Sequence, residues 1–206
     1  MKRRFRIFVE GEADKKFIGD YYRLLFQEDA PKYSINHTGE PMGDKAGGYQ
    51  KLSHEMNIRE MRINNDNDGV NLVIFDADKD AEARRKELLA IQEQYGVTFD
   101  LFLLPNNHDA GNLEDLLEHV INPNNRPIFN CWEHYEQELV QLDIPGRTPP
   151  PLTTPAKKTK IYGYLEALLG ETKSQKELIK EANRNYENPQ HWNQDAEYME
   201  PLKRFL

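Results

Sequence analysis

Residues 70–75, Val-Asn-Leu-Val-Ile-Phe, are apolar and rich in β-branched side chains, with one asparagine among them. Such a run reads as a strand buried on both faces, the mark of a parallel sheet covered by helices. It ends in Asp76-Ala77-Asp78-Lys79-Asp80. In extended chain, residues two apart point the same way. Asp76 and Asp78 are therefore predicted to aim both carboxylates at one point beyond the strand, with Asp80 at the next interval. The carboxyl edge of an open α/β sheet is where ligands bind. Two close carboxylates repel each other, and a divalent cation relieves the repulsion. Oxygen-only ligation favours Mg²⁺, then Mn²⁺, then Ca²⁺. The competing account is a solvated turn whose aspartates cap a helix.

The flanking pattern repeats this strand-then-helix logic. Residues 5–9 read as a strand ending at Glu10-Gly11. Phe17, Ile18, Tyr21, Leu24 and Leu25 then fall on one helical face. Residues 33–38 and 98–104 read as further strands, and 49–62 and 81–94 as helices. Asn112 is a natural N-cap for a helix carrying Leu113, Leu116, Leu117, Val120 and Ile121 inward. Alternation over 5–121 predicts an α/β fold with a mainly parallel four-stranded sheet flanked by helices. We expect an α/β core over 1–125 and a helical C-terminal extension over 126–206, packed as one unit.

In that extension, residues 128–142 predict a helix with Ile128, Trp132, Tyr135, Leu139 and Leu142 inward. A Pro-rich connector spans 145–155. Thr154-Pro155 reads as the cap and first residue of a helix bearing Lys157, Lys158 and Lys160. A polar helix is expected over 174–185, an Asn-rich loop anchored by Trp192 over 183–195, and a short packed helix at 199–206.

Three acidic groups follow separate strands: Glu10 with Asp14, then Asp76 with Asp78 and Asp80, then Glu114 one loop beyond the fourth strand. Helix capping explains Asp14, Glu114 and Asp115 taken singly; convergence of three such groups is harder to explain that way. Lysines in a first helical turn have the wrong sign for the dipole. Lys157 and Lys160 border the inward stripe and are the candidates to face an acidic site, while Lys158 is expected to point outward. The Gly-rich loop 39–48, with Asp44, Lys45, Gly47 and Gly48, lacks a Walker ending and reads as a flexible segment near the site. The six histidines show no metal-ligand spacing, and His119 and His134 read as surface or partly buried residues in different helices.

A net charge of −8 over 206 residues argues against a protein that coats duplex nucleic acid. The single Cys131 excludes an internal disulfide and fits a reducing compartment. No stretch is apolar enough to span a bilayer, so a cytoplasmic protein without a membrane partner is expected.

Phe8-Val9-Glu10-Gly11-Glu12-Ala13-Asp14 and Phe75-Asp76-Ala77-Asp78 resemble the motifs of the Toprim domain, the metal-binding module of topoisomerases, bacterial primases and OLD-family nucleases. VEGEADKKFI (9–18), GGYQKL (47–52), IFDADKD (74–80), LPNNHDAGNLEDLL (104–117), KIYGYL (160–165) and the terminal PLKRFL look like the stand-alone Toprim-like family DUF3226. The resemblance implies a Toprim-like Rossmannoid fold. It implies Glu10 as a general acid/base or metal ligand, and Asp76 and Asp78 as the metal-binding pair. The OLD-like pattern adds Asp14, Glu114 and a late-helix lysine, Lys157 or Lys160. The expectation is an Mg²⁺- or Mn²⁺-dependent phosphodiester hydrolase, nuclease-like, acting on nucleic acid or another phosphodiester. Toprim enzymes usually work attached to ATPase, topoisomerase or primase domains. The alternative is thus a non-catalytic module gripping a metal, a phosphate or a partner such as an ATPase. A phosphatase with Asp76 as covalent nucleophile is a third reading. Its Asp-x-Asp motif would typically follow the first strand rather than the third.

Overall fold

A computed structural model describes residues 4–27, 32–44, 47–147 and 152–206. Lys45 and the middle of the Pro-rich connector lie outside the described residues. Four strands, β1 (Phe5–Val9), β2 (Tyr33–His37), β3 (Val70–Asp76) and β4 (Asp100–Leu104), form one sheet in the order β2-β1-β3-β4. Every pairing is parallel. The two central strands are β1 and β3, with Val9 level with Ile74 and Asp76 level with Leu104. Glu10 and Asp76 therefore leave the sheet as neighbours at one edge.

The period-2 pattern of the strands builds two cores. Ile7, Val9, Leu72 and Ile74 face helices α1 (Glu12–Phe26) and α4 (Leu113–His119). Phe8, Val73 and Phe75 face α2 (Glu55–Asp66) and α3 (Ala81–Tyr95). Burial on both faces is what makes the 70–75 run nearly continuous in apolar residues.

The C-terminal part comprises α5 (Arg126–Gln141), α6 (Lys157–Leu169), α7 (Lys173–Ile179) and α8 (Glu200–Phe205). Its Ile161, Tyr164, Leu165, Trp192, Met199 and Leu202 share one apolar cluster with Ile7 and Leu72 of the sheet. The extension thus covers the α1/α4 face. Trp192 is buried, and its backbone bridges to Ile121.

Three local expectations need correction. The helix expected from Thr154-Pro155 begins at Lys157, with Ala156 at the cap. The stripe expected on α5 is only partly covered: Ile128, Trp132 and Leu139 are half-buried and Tyr135 and Leu142 exposed, while the buried residue of the helix is Phe129, outside the stripe. The contact with α6 uses the first half of α5, where Trp132 lies against Gly163 so closely that a β-carbon there would sit 2.5 Å from the ring. The polar helix expected over 174–185 stops at Ile179, and a 3-10 turn, Glu181–Asn183, follows. Among the described residues, no helix is long and apolar enough to cross a membrane.

Candidate metal centre

Glu10 sits just past β1, and its backbone carbonyl is the anchor of the Gly-rich loop. That oxygen accepts the Gly48 amide at 3.1 Å and lies 3.4 Å from the Thr38 hydroxyl. Thr38 Oγ1 in turn accepts from the same Gly48 amide at 3.1 Å. The loop expected to be mobile is therefore stitched to the strand end. Val9 points into the α1/α4 core, so Glu10 turns toward the opposite face. There its carboxylate feels the charges of Asp78 and Arg84 and the amide of Tyr49.

Asp76 and Asp78 do not share a direction. The argument from extended chain fails because β3 ends at Asp76 and Asp78 has φ 54°, in the left-handed region. A two-residue backbone bridge to Gly111 holds this kink, at 2.8 Å and 2.7 Å. Asp76 turns to the α1/α4 face, where its Oδ1 accepts the Leu113 amide at 3.2 Å. Asp78 turns to the α2/α3 face and forms an ion pair with Arg84. Beside it is a hollow of about 440 Å³ lined by Ala77, Asp78, Lys79, Asp80, Arg84 and Glu87, among others. Asp80 caps α3, its carboxylate accepting the Ala83 amide at 3.0 Å.

The helix starts separate capping from non-capping carboxylates. On α4, Asp115 closes a capping box with Asn112, accepting its amide at 2.9 Å, and also pairs with Lys157. Glu114 takes no part in that box. Asp14 does both jobs: it accepts the Gly11 amide at 2.8 Å, yet it is buried among the other acids.

The carboxylates sense one another strongly. Burial, then the charges of Asp14, Glu10, Glu114 and Asp78, push Asp76 up to about 9. Burial, with Glu10 and Glu114 nearby, lifts Asp14 to about 7 against the pull of the Gly11 amide. Burial and Asp78 raise Glu10. Burial and Glu181 raise Glu114, while Lys158 and Arg184 oppose the rise. The result is a band of acids along the carboxyl edge of the sheet. Asp78 and Glu10 lie toward α3, and Asp76, Asp14 and Glu114 toward α1 and α4. Glu10 Oε2 is buried and has no hydrogen-bond partner. An orphaned carboxylate oxygen amid all-oxygen donors fits a hard divalent cation such as Mg²⁺ or Mn²⁺.

One set of ligand atoms lies mutually within 4.8 Å among the described residues, and it is a different one: Glu12, His37 and Glu40. Sequence spacing did not reveal it, because parallel pairing of β1 with β2 brings the three together. Its hydrogen bonds argue against ligation. His37 Nδ1 accepts the Gly39 amide at 3.2 Å, which leaves the proton on Nε2, donated to Glu12 at 2.9 Å. Glu40 is already paired with Lys15 and accepts from Asn36 and the His37 amide. These three residues are satisfied without an ion.

The lysines are arranged differently from the expectation. Lys157 reaches Asp115, on the capping side of α4. Lys160 is buried over the Phe129 ring, with Glu118 at 3.0 Å and Glu133 at 3.7 Å. Lys158 is exposed, as expected of a residue pointing outward; it pairs with Glu181, and its charge reaches Glu114. His119 is exposed and stacks on Tyr198, and His134 pairs with Glu138 on the surface.

No curated protein matches the chain, and no solved structure does. A family model described as "Protein of unknown function (DUF3226)" matches residues 4–206, essentially the whole length over which this sheet, its acidic edge and the covering helices are built. The chain belongs to the DUF3226 family.

Proposed function

We propose that this chain is an Mg²⁺- or Mn²⁺-dependent phosphodiester hydrolase of the nuclease type, related to Toprim domains. The observation that supports this reading is the acidic band itself. At the ligand-binding edge of the sheet, burial and neighbouring carboxylates raise the proton affinity of Glu10, Asp14 and Asp76, and burial with Glu181 raises that of Glu114. Structural capping accounts for Asp80 and Asp115, and Asp76 accepts the first amide of α4, but Glu10 and Glu114 have no such purpose.

Glu10, Asp76 and Asp78 would hold the cation, with Asp14 and Glu114 beside them. When bound, it supplies positive charge at the phosphate oxygens and a bound water of lowered pKa. Asp76 and Asp14 hold protons near neutral pH in the metal-free protein and give them up when their oxygens become ligands. In place of ligation, Glu10, raised by burial, is suited to accepting and returning a proton. Lys158 and Arg184, whose charges reach Glu114, are cations placed to offset negative charge there. With a net charge of −8, a polyanion would be held through the cation rather than by a basic surface.

The test is cleavage of single-stranded DNA, duplex DNA and RNA with Mn²⁺, comparing wild type with Asp76→Asn. Cleavage by the wild type and a loss of at least about 100-fold in the variant are expected. Equal cleavage by the two proteins, or none by the wild type on any of these substrates, counts against the proposal.

A further inference from the structure

Arg84 has an unusual set of neighbours. It lies one turn into α3, its amide bonded to the carbonyl of the cap residue Asp80 at 3.0 Å. Its guanidinium carbon sits 3.7 Å from the centre of the Tyr49 ring. One terminal nitrogen reaches Glu87 at 3.1 Å, and the other pairs with Asp78. Nε is buried and unpaired, so the resting pose does not satisfy the whole guanidinium. The residue is almost fully buried, whereas its partner Asp78 is half exposed to solvent.

The kink at Asp78 is what brings the two together. Left-handed φ and the bridge to Gly111 fix the backbone of Asp78, so its carboxylate faces the first turns of α3 instead of following Asp76. Tyr49 holds the guanidinium from the other side, and it begins the 3-10 turn that follows Gly47 and Gly48, the glycines anchored on Glu10. The charge of Arg84 extends to Glu10 as well, lowering the proton affinity that burial and Asp78 raise.

We propose that Arg84 is the resident counter-cation of the Asp78–Glu10 half of the acidic edge, and that a divalent cation binds there only by displacing its guanidinium from Asp78. Arg84 is thus a positioning residue that acts through Asp78. It keeps the carboxylate ordered and ion-paired while the metal is absent. The inference rests on the metal reading of the edge given above.

Mn²⁺ binding, measured by electron paramagnetic resonance and calorimetry on the full chain, tests it without any substrate. Removing a competing positive charge tightens the site: Arg84→Gln is expected to bind Mn²⁺ about five- to tenfold more strongly than wild type. Arg84→Lys retains the charge and is expected to stay within about twofold of wild type. A merely structural arginine would give the opposite sign, since its loss would loosen the site and weaken binding. Circular dichroism and thermal melts establish that each variant is folded. Should Arg84→Gln not fold, Tyr49→Leu is the second variant: it frees the guanidinium from its stack and is expected to tighten Mn²⁺ binding in the same direction. Wild-type binding with unchanged or weakened affinity in the folded variants overturns this inference alone. Absence of Mn²⁺ binding by wild type and variants alike overturns the metal reading and this inference with it.

Discussion

Gly47 lies so close to Glu10 that a β-carbon on it would fall 1.6 Å from the Glu10 carbonyl oxygen. The same oxygen accepts the Gly48 amide. The strand end that carries Glu10 is therefore gripped by backbone, at a distance only glycine permits. Gly47→Ala must push the two segments apart. Overpacking of this kind costs about 1–3 kcal/mol, and here it also displaces Glu10. We expect both the urea midpoint and the Mn²⁺ affinity to fall. Gly43→Ala is the control: its φ of 74° makes the substitution strained, but no atom lies within 4 Å of the added carbon. It should cost about 1 kcal/mol and leave Mn²⁺ affinity as it was. Equal loss of Mn²⁺ affinity in both variants would show that the clamp on Glu10 is not specific.

The acidic edge makes the metal-free protein sensitive to pH in a defined direction. Asp76 titrates near 9 and Asp14 near 7 in the folded chain, both above the ordinary aspartate value of 3.8. From pH 4 upward the unfolded chain loses these protons while the folded chain keeps them. Stability is then fully present below about pH 4 as far as these two groups are concerned. It is lost progressively as pH rises through about 7 and about 9. Asp76→Asn keeps an acceptor for the Leu113 amide and removes the charge. In EDTA at pH 8 it should be more stable than wild type by about 1 kcal/mol, some 2–4 °C in a chain of this size. Melting curves from pH 5 to 9 measure this. A wild type whose melting temperature climbs with pH across that window would contradict the assigned proton affinities.

Much of this was legible before any coordinates. The uninterrupted apolar run of β3 and the Gly-terminated β1 report central parallel strands, because burial on both faces leaves no polar alternation. Asp76 could be nominated because it ends a strand, Asp14 because it opens the helix after one, and Glu114 because it lies one loop beyond another. What stayed hidden depends on single dihedral angles and on long-range packing. The left-handed turn at Asp78 reverses the side-chain direction that extended geometry predicts. The pairing of Lys158 with Glu181 requires the 181–183 turn to lie against α1 and α7, which no local pattern encodes. The exposed end of α5 shows the same limit: an amphipathic stripe says which face is apolar, not whether a neighbour is long enough to cover it.

Glu114 and Asp115 are adjacent and alike in charge, yet their surroundings predict opposite phenotypes. Asp115 closes the capping box of α4 and pairs with Lys157. Asp115→Ala should cost about 1 kcal/mol in stability and leave Mn²⁺ affinity within about twofold of wild type. Glu114 is pushed up by burial and by Glu181, so Glu114→Gln removes a repelled charge. It should leave the metal-free protein at least as stable as wild type while weakening Mn²⁺ binding by about tenfold, roughly 1.4 kcal/mol. Chemical denaturation and calorimetry read the two effects separately, and a swap of phenotypes would reassign both residues.

The three lysines of α6 can be told apart in the same way. Lys160 is buried between Glu118 and the Phe129 ring, so Lys160→Met strands a partly buried carboxylate and should cost about 1–3 kcal/mol. Lys157 makes a surface pair with Asp115, and Lys157→Ala should cost no more than about 1 kcal/mol. The ion pairs of both side chains are with Asp115, Glu118 and Glu133 rather than with the acids of the sheet edge, so neither change should slow cleavage of a phosphodiester substrate once the protein is folded. Lys158→Ala should melt close to wild type, since its pair with Glu181 is half exposed. Its charge nevertheless reaches Glu114, and its removal should slow single-turnover cleavage about tenfold or more. Single-turnover rates at saturating Mn²⁺, set beside melting temperatures, decide among the three. If Lys160→Met loses cleavage at full stability while Lys158→Ala cleaves normally, the cation that serves the site sits on the other side of α6.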